Sequence, residues 1–233
     1  MIKVCLTIDM EPDCPPFLNG FRGIEEGIGP LLSLLKEEKV KTTFFSTGQV
    51  AKKYPRTIRD IVSSGHELGC HGESHRDFCT MDHETAEAEI EDASGVLRQF
   101  APVTSFRAPY LKFPEIYLTL LEAHGFLLDS SQAKYKVSYY RKSISTKLKR
   151  IPVSVTSSVL RLPPWIRTPY LGALSSPIVL FVHPWEFVDW RKEKLRLDCR
   201  FKTGVLALDC LRSVIRFYAG KNAVFLRMEE LHD

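Results

Sequence analysis

The sequence predicts an α/β fold: a parallel sheet, closed or nearly closed into a barrel, with helices outside it. Three observations carry this. Strand-like and helix-like stretches alternate along the 233 residues, giving seven or eight βα units. One stretch, Pro177-Ile178-Val179-Leu180-Phe181-Val182, is uniformly apolar, as a parallel strand covered on both faces must be. Polar residues capable of chemistry recur just after the apolar strands, at the ends a parallel barrel gathers on one rim. At this length the chain fits one α/β barrel, which often runs to roughly 250 residues. No linker or fixed-period repeat divides it, so residues 1–233 read as a single domain.

The elements follow in order. Residues 2–8 read as a strand, and Ile24 to Glu38 as a helix with Leu31, Leu32, Leu34 and Leu35 on its apolar face. Thr42 to Ser46 is β-branched and aromatic, a second strand. Pro55 to Ser64 reads as a helix with proline at its start and Gly65 as its stop. Glu67 to Cys70 is a third, buried strand. His83 to Phe100 is helical, with Glu84, Glu87 and Glu89 at its front, where the helix dipole favours acids. Residues 104–107 make a fourth strand, Pro114 to His124 a helix, residues 126–129 a fifth strand and Ile151 to Val155 a sixth. After the apolar strand at 177–182, Thr203 to Ala219 is the last helix and Ala223 to Leu226 closes the sheet.

Composition narrows the function classes. An apolar fraction of 44 % suffices for a full core, and a net charge of +4 does not call for nucleic acid. The amino terminus reads as a strand ending in acid, not a signal peptide, and no stretch approaches the ~20 apolar residues of a membrane span. A cytoplasmic protein is therefore expected. Charge is uneven: Lys134, Lys136, Arg141, Lys142, Lys147, Lys149 and Arg150 fall together without an acid, beside Tyr135, Tyr139 and Tyr140. This reads either as a solvated loop or as a phosphate-attracting patch. With the apolar, proline-rich run from Leu160 to Leu174, it suggests a lipid-linked or nucleotide-linked substrate, with contact through 134–174 to the lipid or to the inner membrane face. The six cysteines contain no CxxC pair and read as buried thiols, with a Cys199–Cys210 bridge as the alternative.

The most informative stretch is His71-Gly-Glu-Ser-His75. Two imidazoles at i and i+4 can close on one metal ion, either on a helix turn or in a tight loop. Asp9 and Glu11 follow the first strand at i and i+2, so both point the same way while the chain stays extended. One carboxylate can bind a metal while the other accepts a proton from water; read alone, the pair also suits a cap or turn. Arg107-Ala108-Pro109-Tyr110 supplies a cation able to hold the base carboxylate, and a chain direction that could aim the Tyr110 amide at an oxyanion. His183, at the mouth of the most apolar strand, is placed to protonate a leaving amine. Trp185 beside it is a candidate substrate contact.

In order and spacing, Thr7-Ile8-Asp9-Met10-Glu11, His71 to His75, Arg107 to Tyr110, Asp129-Ser130-Ser131 and Val182-His183-Pro184-Trp185-Glu186 resemble the five motifs of the polysaccharide deacetylase family, the NodB-homology carbohydrate esterases. The resemblance runs from residue 2 to about 187. It implies a distorted (β/α)7 barrel and hydrolysis of an N-acyl group, most simply acetyl, on an amino sugar, with one divalent metal. Zinc is the usual ion; cobalt, nickel or iron(II) would also suit two histidines and a carboxylate. By the resemblance Asp9 is the catalytic base, His71 and His75 are metal ligands, Arg107 orients the base, the Tyr110 amide lines an oxyanion hole and His183 is the acid. The chain also departs from the pattern. Met10 stands where a second aspartate is common, which makes Glu11 the carboxylate ligand candidate and Asp13 its rival. The fourth motif lacks its usual tryptophan, leaving Asp129 a supporting role, such as tuning His183. A deformylase, a hydrolase of cyclic amides or ureides, and a non-catalytic carbohydrate-binding barrel are the alternatives.

Overall fold

The computed structural model describes residues 1–140 and 145–231. Its centre is a curled parallel sheet in the order β6-β5-β4-β3-β2-β1-β7, with β8 paired to the start of β1. The strands are β1 (Lys3–Met10), β2 (Thr43–Ser46), β3 (Glu67–Cys70), β4 (Ser105–Phe106), β5 (Leu128–Asp129), β6 (Lys149–Arg150), β7 (Ile178–Val182) and β8 (Val224–Phe225). The helices are α1 (Ile28–Glu37), α2 (Gly48–Lys53), α3 (Pro55–Ser63), α4 (His83–Leu97), α5 (Leu118–Ala123), α6 (Pro164–Gly172), α7 (Leu197–Arg200) and α8 (Val205–Ala219). The expected distorted seven-stranded barrel is the fold found. Its two ends meet through hydrogen bonds at one point: the Ser154 amide donates to the Val179 carbonyl (2.9 Å), and the Val179 amide to Ser154 Oγ (3.0 Å).

The sixth strand lies two residues earlier than expected. Pro152 has no amide to give a ladder, so pairing stops at Arg150 and resumes only as a bridge between Val153 and Ala133. Three helices, α2, α6 and α7, were not expected from the sequence. Among the described residues no helix is long and apolar enough to cross a membrane.

Alternation along the strands sorts the core into two layers. Val4, Leu6, Ile8 and Met10 pack outward under the helices with Phe44, Leu68, Cys70, Phe106, Leu180 and Val182. Cys5, Phe45, Leu128, Val179 and Phe181 fill the barrel. The register carries this parity from strand to strand: Asp9 pairs with Phe45, Phe45 with Gly69, and Thr7 with Phe181. Gly69 is required here, because a Cβ on it would lie 2.6 Å from Phe45 Cδ1. Met10 thus belongs to the outer layer, while Asp9 and Glu11 project inside. That is the physical reason an acid at residue 11, and not at 10, serves the interior.

Deep in the barrel Glu67 accepts hydrogen bonds from Thr43 Oγ1 (2.6 Å), Ser105 Oγ (2.5 Å) and the Glu229 amide (2.9 Å). His66, at the start of β3, is buried; its Nδ1 accepts from the Thr42 amide (3.2 Å), and its ring meets Phe44 edge-on. Burial, with Lys41 and Arg227 adding to it, pushes the His66 imidazole down from 6.5 to about 4. An unfolded chain takes up this proton near 6.5 and the folded one only near 4, so stability rises with pH between those values. The contribution, at most about 3 kcal/mol, is complete above pH 6.5 and lost as pH falls through 4. Urea unfolding of His66→Gln at pH 4.5 to 7.5 is expected to show a slope shallower than wild type by nearly one proton. Parallel slopes would contradict the assignment.

Candidate active site

β1 ends with Asp9 and Glu11 facing inward. β3 runs into His71, after which Gly72 (φ +74°) and His75 (φ +58°) turn the chain through left-handed conformations. The His71–His75 stretch is therefore a tight loop and not a helix turn. Its shape is held from α4: Glu89 accepts from the amides of Glu73 and Ser74 (both 2.9 Å) and from the Ser74 hydroxyl. Glu89 is not a solvent-facing acid of a helix front. It lies on the buried stripe with Ala86, Ile90 and Ala93, and an acid at that spacing among apolar residues was the signal for its role.

Glu11, His71 and His75 converge, each offering one ligand atom within 4.8 Å of the others. Glu11 Oε2 lies 2.6 Å from His75 Nε2 and 3.4 Å from His71 Nε2. Both Nε2 atoms are buried, and neither makes a hydrogen bond. On the other side of its ring, His71 Nδ1 meets the Arg107 carbonyl at 2.7 Å, which fixes the tautomer and leaves Nε2 as a lone-pair donor. Burial opposes the charge on Glu11, but the imidazoles of His75, His183 and His71 hold its carboxyl well below the usual carboxylate range. Two orphaned imidazole nitrogens facing one carboxylate are a donor set that fits a divalent metal. Asp13, the rival ligand, is engaged elsewhere: it accepts from the amides of Arg22 and Gly23 (2.8 Å each) and anchors the loop before α1.

Asp9 is bound to Arg107, whose Nη1 reaches Asp9 Oδ1 at 2.7 Å and Thr7 Oγ1 at 2.7 Å. Arg107 is 0 % exposed, and its guanidinium also lies 4.3 Å over the Phe45 ring. The fourth motif contributes through its serines: Arg107 Nη2 donates to Ser130 Oγ (3.0 Å), and the Ala108 amide donates to Ser131 Oγ (2.8 Å). Tyr110 follows with φ +59°, a strained conformation for a side-chain-bearing residue, and its ring packs edge-on to His75 at 4.8 Å. Lys136 Nζ secures this turn through the carbonyls of Tyr110 (2.7 Å) and Leu111 (3.2 Å).

Asp129 does not support His183. It pairs in register with Phe106, an outward position, so its carboxylate points away from the barrel interior. There it binds Arg150 Nε (3.0 Å) and the Ser131 amide (2.9 Å). The residue in contact with His183 is Glu186: Oε1 lies 2.8 Å from His183 Nδ1, and Oε2 lies 3.0 Å from the buried Arg161. Burial opposes the imidazolium of His183, yet the carboxylates of Glu11, Glu186 and Asp9 raise it to about 9. Trp185 stacks on His183, centroids 4.9 Å apart, and donates from Nε1 to Glu11 Oε1 at 3.2 Å. Close packing against α1's approach fixes this corner, since a Cβ on Gly23 would lie 2.4 Å from the Trp185 nitrogen.

Asp9, Glu11, His71, His75, Tyr110, His183 and Trp185 thus border one pocket of about 240 Å³, with Arg107 directly behind Asp9. Of the basic stretch, Lys136 and Arg150 hold internal partners; Arg141 and Lys142 lie outside the described residues. Cys199 and Cys210 are free thiols, and Cys199 borders the pocket together with Cys14.

With this geometry established, comparison with known proteins is informative. The polysaccharide deacetylase family profile matches residues 2–128, more than half of the chain, and the chain belongs to that family. A peptidoglycan deacetylase of Helicobacter pylori is 34 % identical over 110 residues, covering 46 % of this chain and 37 % of the relative. The chain spans less than half the length of the first curated relatives it matches. In fold it is similar to a family 4 carbohydrate esterase of Streptomyces lividans solved with acetate (TM-score 0.65, 16 % identity, 96 % of this chain and 91 % of the other). It is also similar to a family 4 pseudoenzyme of Bacillus anthracis (TM-score 0.69, 16 % identity, 99 % and 65 %). A fold shared by an esterase and a pseudoenzyme leaves activity to be argued from the side chains.

Proposed function

We propose that this chain is a metal-dependent amidohydrolase that removes an N-acyl group, most simply acetyl, from an amino sugar. The observation that carries the reading is the meeting of a base, an acid and a complete His-His-carboxylate donor set at one pocket. Glu11, His71 and His75 would hold the ion, with zinc first and cobalt, nickel or iron(II) as other occupants. When bound, it supplies Lewis-acid chemistry, polarising the amide carbonyl and easing deprotonation of water. Asp9 takes the proton from the attacking water, and Arg107 holds its carboxylate aimed. The Tyr110 amide, set by its left-handed turn, donates to the developing oxyanion. His183, held through Nδ1 by Glu186, gives its proton to the departing nitrogen. Trp185 buttresses that imidazole and forms one wall for the sugar.

The test is acetate and formate release from a panel of N-acetylated and N-formylated amino sugars and allantoin-like rings, with and without added divalent ions. Metal-dependent acetate release is expected. Formate release alone would favour the deformylase, ring opening the cyclic-amide hydrolase, and no turnover a carbohydrate-binding barrel. Elemental analysis should find one divalent ion per chain in wild type, and less than a tenth of that in His71→Ala. Equal metal content in both proteins would remove His71 from the ligand set.

A further inference from the structure

A second, open hollow of about 580 Å³ adjoins the catalytic pocket on the side formed by the segment before α6 and by α7, and Ser158, Arg196 and Asp198 border both. Beyond that boundary the lining becomes apolar: Val159, Leu162, Leu197 and Phe201. We infer that this groove receives the hydrocarbon chain of a glycolipid whose N-acylated amino sugar occupies the catalytic pocket. The inference rests on the proposed deacylation and adds the substrate's class.

Three features favour this occupant. The groove's walls are built in place: Arg161 Nη1 donates to the Phe201 carbonyl (2.6 Å) and Nη2 to the Asp198 carbonyl (2.8 Å). The same Arg161 ion-pairs with Glu186, so the groove and the His183 side of the pocket share one rigid support. Polar groups occur only at the junction and are already engaged. Arg196 Nη2 lies 2.9 Å from Asp198, and Ser158 Oγ is 3.3 Å from Thr156 Oγ1. Further sugars of a polymer would need hydrogen-bond partners along the groove, and its apolar lining provides a poor set of them. A hydrocarbon needs none. Leu197 points the same way, being 68 % exposed at the groove's edge, where a chain would cover it.

The test compares methyl and octyl β-glycosides of N-acetylglucosamine and N-acetylchitotetraose, by calorimetric binding and by acetate release. Each methylene withdrawn from water is worth roughly fourfold in affinity, so partial burial of the octyl chain should give at least tenfold tighter binding than methyl. Leu197→Glu places a charge in the groove at an exposed position the fold tolerates; it should reduce the octyl-to-methyl ratio to near one. Equal binding of the two glycosides by wild type would overturn the inference. So would an octyl advantage untouched in Leu197→Glu, or chitotetraose binding more tightly than the octyl glycoside. Acetate release reads the other proposal separately: an octyl preference in binding without turnover would support the groove while removing the deacylase, and turnover without preference the reverse.

Discussion

Asp9→Asn is expected to lower kcat/KM for acyl release by on the order of a hundredfold or more, the usual cost of losing a positioned base. Asparagine is nearly isosteric and can still accept from Arg107 Nη1, so the pocket keeps its shape while losing its proton acceptor. It also leaves the Arg107 guanidinium without its counter-charge in a fully buried setting, among Thr7, Ser130 and the Phe45 ring. Breaking a buried pair from one side costs about 3–5 kcal/mol, so some fall in thermal midpoint belongs to the prediction. The two effects separate in the double variant Asp9→Asn with Arg107→Met, which removes the stranded cation. Its stability should recover in part and its activity should not. Metal content should match wild type throughout, because Glu11, His71 and His75 are untouched. Wild-type turnover by Asp9→Asn would end the assignment of Asp9 as base.

Much of this site was legible because strand periodicity and chemistry coincide. Asp9 and Glu11 share one face of β1, and the same parity carries His71, Arg107 and His183 inward; His71 and His183 could be placed from their strands alone. Reading failed where parity had to be known across a weak strand. β5 is two residues long, and nothing in Phe126-Leu127-Leu128-Asp129 says which leucine fills the barrel. Leu128 does, so Asp129 turns out to Arg150 and Ser130 turns in to Arg107. Interactions between elements distant in sequence were equally hidden. Glu89 sits 18 residues after His71 and looks like an ordinary helix acid until the loop it holds is seen (89 − 71 = 18). Asp13 looked like a ligand because it is near Glu11 in sequence, but β1 has ended and the chain has turned toward Arg22 and Gly23.

The chain Arg161–Glu186–His183 carries the second large effect. Glu186 Oε1 accepts from the His183 amide (3.1 Å) and faces its Nδ1, while Oε2 faces Arg161. Every group around this buried carboxylate is a donor. In Glu186→Gln one terminal position becomes an NH2, so either His183 or Arg161 must face a donor, and no flip of the amide satisfies both. We expect kcat to fall at least tenfold with little change in KM. His183 loses the partner that fixes its tautomer and orientation, as expected for an orienting carboxylate, while the pocket walls that bind substrate stay in place. Stability should drop by about 3–5 kcal/mol, since Arg161 is left buried without its counter-ion. Arg161→Met tests the direction of the argument. It strands the Glu186 charge and also frees the carbonyls of Asp198 and Phe201, so it should destabilise more than Glu186→Gln. Wild-type kcat in Glu186→Gln would mean that His183 does its work without this support; the reverse stability order would mean that the carbonyl bonds of Arg161 contribute little and that its charge pairing with Glu186 dominates.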